Sequence, residues 1–138
     1  MAHDWRMSNL IAMTVLETGA RGEARLVVSE ADTAIALKSG EVPVLGTPRI
    51  VALCEEASVR AVAAALVDGT TTVGRRVQLD HLQPTAIGVE VVAEAVLEKI
   101  EGRRLIFHVT VHDPDGLVAA GKVTRVVVDL DRFLDKLH

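Results

Sequence analysis

Aromatic side chains are nearly missing from this sequence: they make up 2% of its 138 residues, against 49% for the hydrophobic set as a whole. The core must therefore be built from Val, Ala, Leu and Ile. Small side chains let helix and sheet approach closely, but each buries less area than an aromatic would, so an oligomer is expected. Cysteine is scarce too: Cys54 stands alone, which excludes an intrachain disulfide and fits a reducing, cytoplasmic setting. Positive charge is not in excess, and a net charge of −4 leaves no basic footprint for nucleic acid. No run reaches the ~18 uncharged apolar residues that a membrane helix needs. The nearest, 48–67, is interrupted by Arg49, Glu55, Glu56 and Arg60. The short apolar stretch 10–16 lacks a basic lead and a small-residue cleavage site, so residues 1–20 read as an N-terminal extension or extra strand, not a signal peptide. The rest, 21–138, has the length of one domain.

What is present is one strongly apolar helix followed by strands. Residues 22–30 read as a first strand, and 31–46, with Gly40, Pro43 and Gly46, as an irregular entry. Pro48 suits a first helical turn, Thr47 is placed as its cap, and Asp68-Gly69 stops the helix. Four strand-like runs follow at 73–83, 88–100, 103–113 and 116–129. Glu101-Gly102 and Asp113-Pro114-Asp115-Gly116 are compact turn signals that favour antiparallel hairpins. In 89–98, Val89, Val91, Ala93, Ala95 and Leu97 alternate with Glu90, Glu94 and Glu98. This order predicts an α+β domain in which an antiparallel sheet wraps a long helix.

Three residues stand out as chemistry. On a wheel at 100° per residue, Glu55 falls among Val51, Val59, Val62 and Leu66, while Glu56 falls one turn before Arg60 on a wet face. A carboxylate among apolar neighbours needs a hydrogen-bond partner, so Glu55 either pairs with an arginine or solvent, or works as an acid–base group. In 75–82, His81 shares the face of Val77 and Leu79, directed at the helix, where it is either structural or the acid–base partner of that carboxylate. Thr47 is an ordinary cap, or a hydroxyl beside a helix N-terminus where a thioester oxygen can bind. Thr47 and Glu55 lie eight residues apart, roughly 12 Å along a helix axis, so either a second subunit brings its own Glu55 or Thr47 into range or the chain at Thr47 is unwound. His108 and His112 fall on the polar face of a strand without a third ligand, so no metal site is expected. The run 68–74 reads as a flexible, hydroxyl-rich loop lacking the ending of a phosphate-binding loop. Arg75, Arg76, Arg103 and Arg104 are either solvated or set for the phosphates of a coenzyme.

The stretches Gly46-Thr47, Glu55-x-Ala57-x-Val59-Arg60-Ala61, Val73-Gly74, His81, Glu101-Gly-Arg-Arg-Leu105, His112-Asp113 and Gly121-x-x-x-Arg125 together resemble the hotdog-fold acyl-CoA thioesterases, within them the fluoroacetyl-CoA thioesterase group. The resemblance covers roughly 22–136 and implies a hotdog fold and a homodimer, or dimer of dimers, formed by joining sheets. It also implies hydrolysis of an acyl-CoA thioester bound near the subunit interface. By resemblance, Thr47, Glu55 and His81 form the catalytic trio, while Gly74 and Arg125 contribute to substrate binding. No cofactor is implied, since coenzyme A is part of the substrate. The fluoroacetyl enzymes carry aromatic side chains in a lid just before the threonine. Residues 34–46 here have none, which implies a different or wider acyl preference. The competing expectation is a hotdog module that binds acyl-CoA as a sensor without turning it over. A hydratase of the same fold would want a histidine on the helix, and there is none.

Overall fold

A computed structural model describes residues 16–137. Strand β1 (Arg21–Val27) leads through a 3-10 turn (Glu30–Asp32) and a looped segment to helix α1 (Thr47–Val62). Strands β2 (Thr70–His81), β3 (Glu90–Glu101), β4 (Arg104–Asp113) and β5 (Gly116–Asp129) follow, and a short helix α2 (Leu130–Leu134) closes the described chain. All pairings are antiparallel and the sheet order is β1-β3-β4-β5-β2. The sheet curls around α1, which is the α+β hotdog architecture. Of the segment 1–20, residues 1–15 lie outside the described residues; Leu16 is buried in the core.

The helix buries Ile50, Leu53, Cys54, Ala57 and Val62. These meet the inward side chains of the sheet, among them Ala93, Ala95, Leu97, Leu105, Phe107, Val109 and Val111. The period-2 burial of β3 and β4 is the alternation visible in the sequence. Both hairpin signals hold. Gly102 takes φ 61° between β3 and β4. Between β4 and β5, the Asp113 carboxylate accepts the N–H groups of Asp115 and Gly116 at 2.8 and 3.0 Å.

Close approach of strand to helix is the use made of the small residues. A Cβ on Gly22 of β1 would run into the backbone of Ala57 and Ala61 in α1, and no rotamer change relieves a backbone clash. Gly22→Ala is therefore expected to destabilise the fold by roughly 1–3 kcal/mol, read as a lowered urea midpoint with an unchanged slope.

Three expectations are corrected. α1 ends at Val62 and tightens to a 3-10 turn over Ala63–Ala65, so the helix is shorter than 48–67. β2 begins at Thr70, not 73: the hydroxyl-rich run is strand, with Thr70, Thr71 and Thr72 registered on Asp129, Val128 and Val127. β-branched threonines are good strand formers once a neighbour supplies the ladder. The buried stripe of α1 runs through 50, 53, 54, 57 and 62, which sets Glu55 on its flank, beside half-buried Val51 and exposed Val59.

Candidate active site

The start of α1 makes the first half of the site. Gly46 is the N-cap, in extended conformation, and Thr47 is the first helical residue. The expectation that Thr47 caps the helix is thus corrected: its hydroxyl is engaged elsewhere. Thr47 Oγ1 lies 2.8 Å from His81 Nδ1 at the end of β2. The other ring nitrogen, His81 Nε2, is buried without a hydrogen-bond partner among the described residues. A buried imidazole nitrogen without a partner is costly unless something binds to it. Pro48 has no N–H, and no backbone acceptor among the described residues takes the N–H of Thr47. The positive end of a four-turn helix, one backbone donor, a hydroxyl and an imidazole therefore converge at one point.

The second half is built around Glu55. Its Oε2 accepts a hydrogen bond from Arg125 Nη1 at 2.8 Å. Arg125 is 7% exposed and its guanidinium is held in place by Thr72, donating from Nε to Oγ1 at 2.8 Å and from Nη2 to the carbonyl at 2.9 Å. β2 and β5 pair so that Gly74 lies opposite Arg125. A Cβ at position 74 would sit 2.5 Å from Glu55 Oε2, so glycine is what leaves space for the carboxylate over the strand. Among the described residues, Oε1 of Glu55 has no donor, and the side chain is 34% exposed. One oxygen is clamped and the other is free. Thr72 is the participant that sequence reading missed, because a threonine in a Thr-Thr-Thr run carries no sign of an arginine partner.

Within one chain the two halves stand apart. Thr47 and Glu55 both lie in α1, roughly 12 Å apart along its axis. Gly74 and His81 are seven positions apart on β2, roughly 20 Å. The structure joins Thr47 to His81, and Glu55 to Gly74 and Arg125, but not the two sets to each other. Glu56 is accounted for by its pair with Arg60 at 2.9 Å, and His108 and His112 are exposed on the outer face. No cluster of three His, Cys, Asp or Glu side chains suited to a metal ion occurs among the described residues, and none of their helices is long and apolar enough to cross a membrane.

The neighbouring thiol takes no part. Burial, and then the charge of Glu55, push the Cys54 pKa up to about 12, so it stays a neutral thiol and a poor nucleophile.

The segment entering α1 is braced at its root. Thr33 and Leu45 form a bridge, and the Gly46 N–H donates to the Asp32 carbonyl at 2.9 Å. Arg49 Nε, in the first turns of α1, donates to Asp32 Oδ1 at 3.2 Å. Between these anchors Ile35, Leu37 and Val42 are exposed aliphatic side chains. Burial pushes the Asp32 pKa up. The Ser29 N–H and hydroxyl, each 2.8 Å from Oδ2, and the Arg49 cation outweigh it, and the net direction is down. A carboxyl held below its unfolded value stabilises the fold above that value and ceases to do so as pH falls through the depressed one. Asp32→Asn is thus expected to cost about 1–2 kcal/mol at pH 7, with the gap to wild type closing below about pH 4, in urea unfolding at both pH values.

Residues 28–131 match the family described as fluoroacetyl-CoA-specific thioesterase. The fluoroacetyl-CoA thioesterase of Streptantibioticus cattleyicolor is 35% identical over 95 residues, 69% of this chain and 68% of that protein. A crystal structure of the fluoroacetyl-CoA thioesterase FlK superposes with a TM-score of 0.83 at 30% identity, covering 88% of this chain and 95% of that one. A variant of FlK in complex with fluoroacetate and CoA gives 0.79 at 31% identity, over 86% of this chain and 99% of that one. A hot-dog-like protein from Thermanaerovibrio acidaminovorans gives 0.82 at 25% identity, over 90% and 92%.

Proposed function

The chain belongs to the fluoroacetyl-CoA-specific thioesterase family, and from that premise we propose that it hydrolyses an acyl-CoA thioester to the free acid and CoA, with Thr47, Glu55 and His81 as the catalytic residues and Gly74 and Arg125 shaping the substrate site. The observation that carries this reading is Glu55: one carboxylate oxygen clamped by a buried arginine, the other free, over a glycine that leaves room for the carboxylate. The likeness to FlK, whose variant structure contains fluoroacetate and CoA, supports an acyl-CoA as the ligand.

The active unit is a homodimer, or a dimer of dimers, built on β2. This strand is twelve residues long and ends the sheet, and its outer edge has no strand partner among the described residues. So long an open edge invites pairing. Two copies paired antiparallel about a two-fold axis near the middle of this strand bring the Gly74 end of one beside the His81 end of the other. The Glu55 half from one chain then faces the Thr47–His81 half of its mate. The lone buried thiol accords with a cytoplasmic setting.

At such a site the thioester carbonyl oxygen is polarised by the Thr47 N–H and hydroxyl at the helix start. The free Glu55 oxygen either takes a proton from water as it attacks the carbonyl carbon, or attacks that carbon itself to give a mixed anhydride that water then opens. The C–S bond breaks in both routes. His81, whose Nδ1–H donates to Thr47 Oγ1 and so leaves the hydroxyl proton for the carbonyl oxygen, takes up at Nε2 the proton that water releases and passes it to the departing sulfur. Borohydride traps an anhydride on Glu55 only in the second route.

Free-thiol release from a panel of acyl-CoA thioesters, short to long, tests the proposal. The expected result is turnover with a preference beyond fluoroacetyl, because the lid segment before Thr47 is aliphatic. Saturable binding without turnover on any member would favour the sensor reading instead.

A further inference from the structure

Positive charge is distributed unevenly in this acidic chain. Arg21, Arg25, Arg49, Arg60 and Arg125 each have a carboxylate within 4.0 Å. Among the described residues Lys38, Arg75, Arg76, Arg103, Arg104, Arg132 and Lys136 have none, and three of these, Arg103, Arg132 and Lys136, line one groove of about 190 Å³ with Val128, Asp129 and Phe133. The groove lies where the β3–β4 turn meets the end of β5 and helix α2. Its walls are tied to the sheet: the Val127 N–H donates to the Arg103 carbonyl at 2.8 Å, and the Leu130 N–H to the Gly69 carbonyl at 2.9 Å. Asp129 is the one carboxylate in the groove, and its Oδ1 is engaged by the Arg132 N–H at 3.1 Å. Three unpaired cations around one engaged carboxylate make a site for an anion carrying several charges. Phe133 adds an aromatic surface in a chain that has two phenylalanines in all.

The groove also sits at a telling distance from Glu55. Gly74 is registered on Arg125 and Thr70 on Asp129, so four strand positions, roughly 13 Å, separate the carboxylate from the mouth of the groove. The phosphopantetheine arm of CoA is comparable to an extended peptide of about five residues, roughly 17 Å. We propose that this groove seats the 3′-phospho-ADP end of the substrate, with Arg103, Arg132 and Lys136 on its phosphates and Phe133 beneath the adenine. The assignment rests on the acyl-CoA reading above. The groove is sized for phosphate groups, and the base lies at its open mouth.

The test uses the full chain and two probes. In calorimetry at low salt, adenosine 3′,5′-bisphosphate binds the wild type, and the R103A/R132A variant binds it at least about 10-fold more weakly. With acyl-CoA, the same variant raises KM by about 10-fold or more with kcat little changed, whereas KM for the matching acyl-N-acetylcysteamine, which has no nucleotide, stays put. Unchanged bisphosphate affinity and unchanged acyl-CoA KM overturn the assignment. So does a KM that rises equally for both substrates, which would place the damage in the catalytic half. A loss seen only with acyl groups carried on an acidic carrier protein would make the groove a protein-docking surface and also overturn it. Wild type that binds the bisphosphate through Arg103 and Arg132 but hydrolyses no thioester would sink the hydrolase reading and leave the nucleotide site standing.

Discussion

Glu55→Gln is expected to lower kcat by about three orders of magnitude, within the 10²–10⁴ range that a positioned acid–base group contributes, while the protein stays folded. Glutamine keeps the shape of the side chain and an oxygen that can accept from Arg125, so the clamp between α1 and β5 survives. Thr72 keeps its two hydrogen bonds to the same guanidinium. What disappears is the negative charge and the free basic oxygen. The stability loss should be modest, about 1–2 kcal/mol, because the carboxylate is partly solvated and the hydrogen bond is retained. Thiol release and urea unfolding on one preparation check both parts. The competing role for Glu55 is that of a counter-ion for buried Arg125, and it predicts the opposite pattern: turnover preserved and stability lowered.

The same residue shows what was legible in the sequence and what was not. The alternation in β3 and β4, the two hairpin turns and the Glu56–Arg60 pair are local patterns, fixed by residues a few positions apart, and they hold in the structure. The environment of Glu55 is not local. The wheel placed it in an apolar sector, whereas the sheet buries the stripe through Ile50, Leu53, Cys54, Ala57 and Val62 and leaves Glu55 on the flank that meets β2. Its partner Arg125 is seventy positions away, and Thr72, which holds that arginine, lay in a run read as loop. Thr47 failed as a cap for a related reason. A threonine before a proline looks like a cap from sequence alone, and only the long-range arrival of His81 gives its hydroxyl a better partner. Capping then passes to Gly46, whose carbonyl accepts from Arg49 and Ile50.

The halves of the site also differ in how firmly they are held. Glu55 is positioned by a buried guanidinium with three hydrogen bonds, next to the point where the β2–β5 ladder shifts register after Gly74. Thr47 follows a looped segment held at its root by the Asp32–Arg49 pair and the Thr33–Leu45 bridge. The side chains between those anchors, Ile35, Leu37 and Val42, are aliphatic and exposed. Acyl selectivity is therefore expected to follow substitutions in 34–46, while the rate of the chemical step follows Glu55 and its supports.

Mixing two dead variants is expected to restore activity. Glu55→Gln removes one half of the site and His81→Ala the other, so each homodimer carries two incomplete sites. In a dimer whose sites draw Glu55 from one chain and Thr47–His81 from the other, a mixed dimer contains one site with both halves intact and one with neither. Equal amounts, unfolded gently in urea and refolded together, give heterodimers as half of the population, and thus about a quarter of wild-type activity from parents that have almost none. The helix makes the alternative hard to sustain. Thr47 and Glu55 sit in one unbroken α-helix, with roughly 12 Å between them along its axis, and an acyl carbon cannot meet both without a chain break or a second copy. Activity of the mixture equal to the sum of its parents would place the whole reaction in one chain. It would also require α1 to unwind before Glu55, a change visible as lost helical signal on substrate binding.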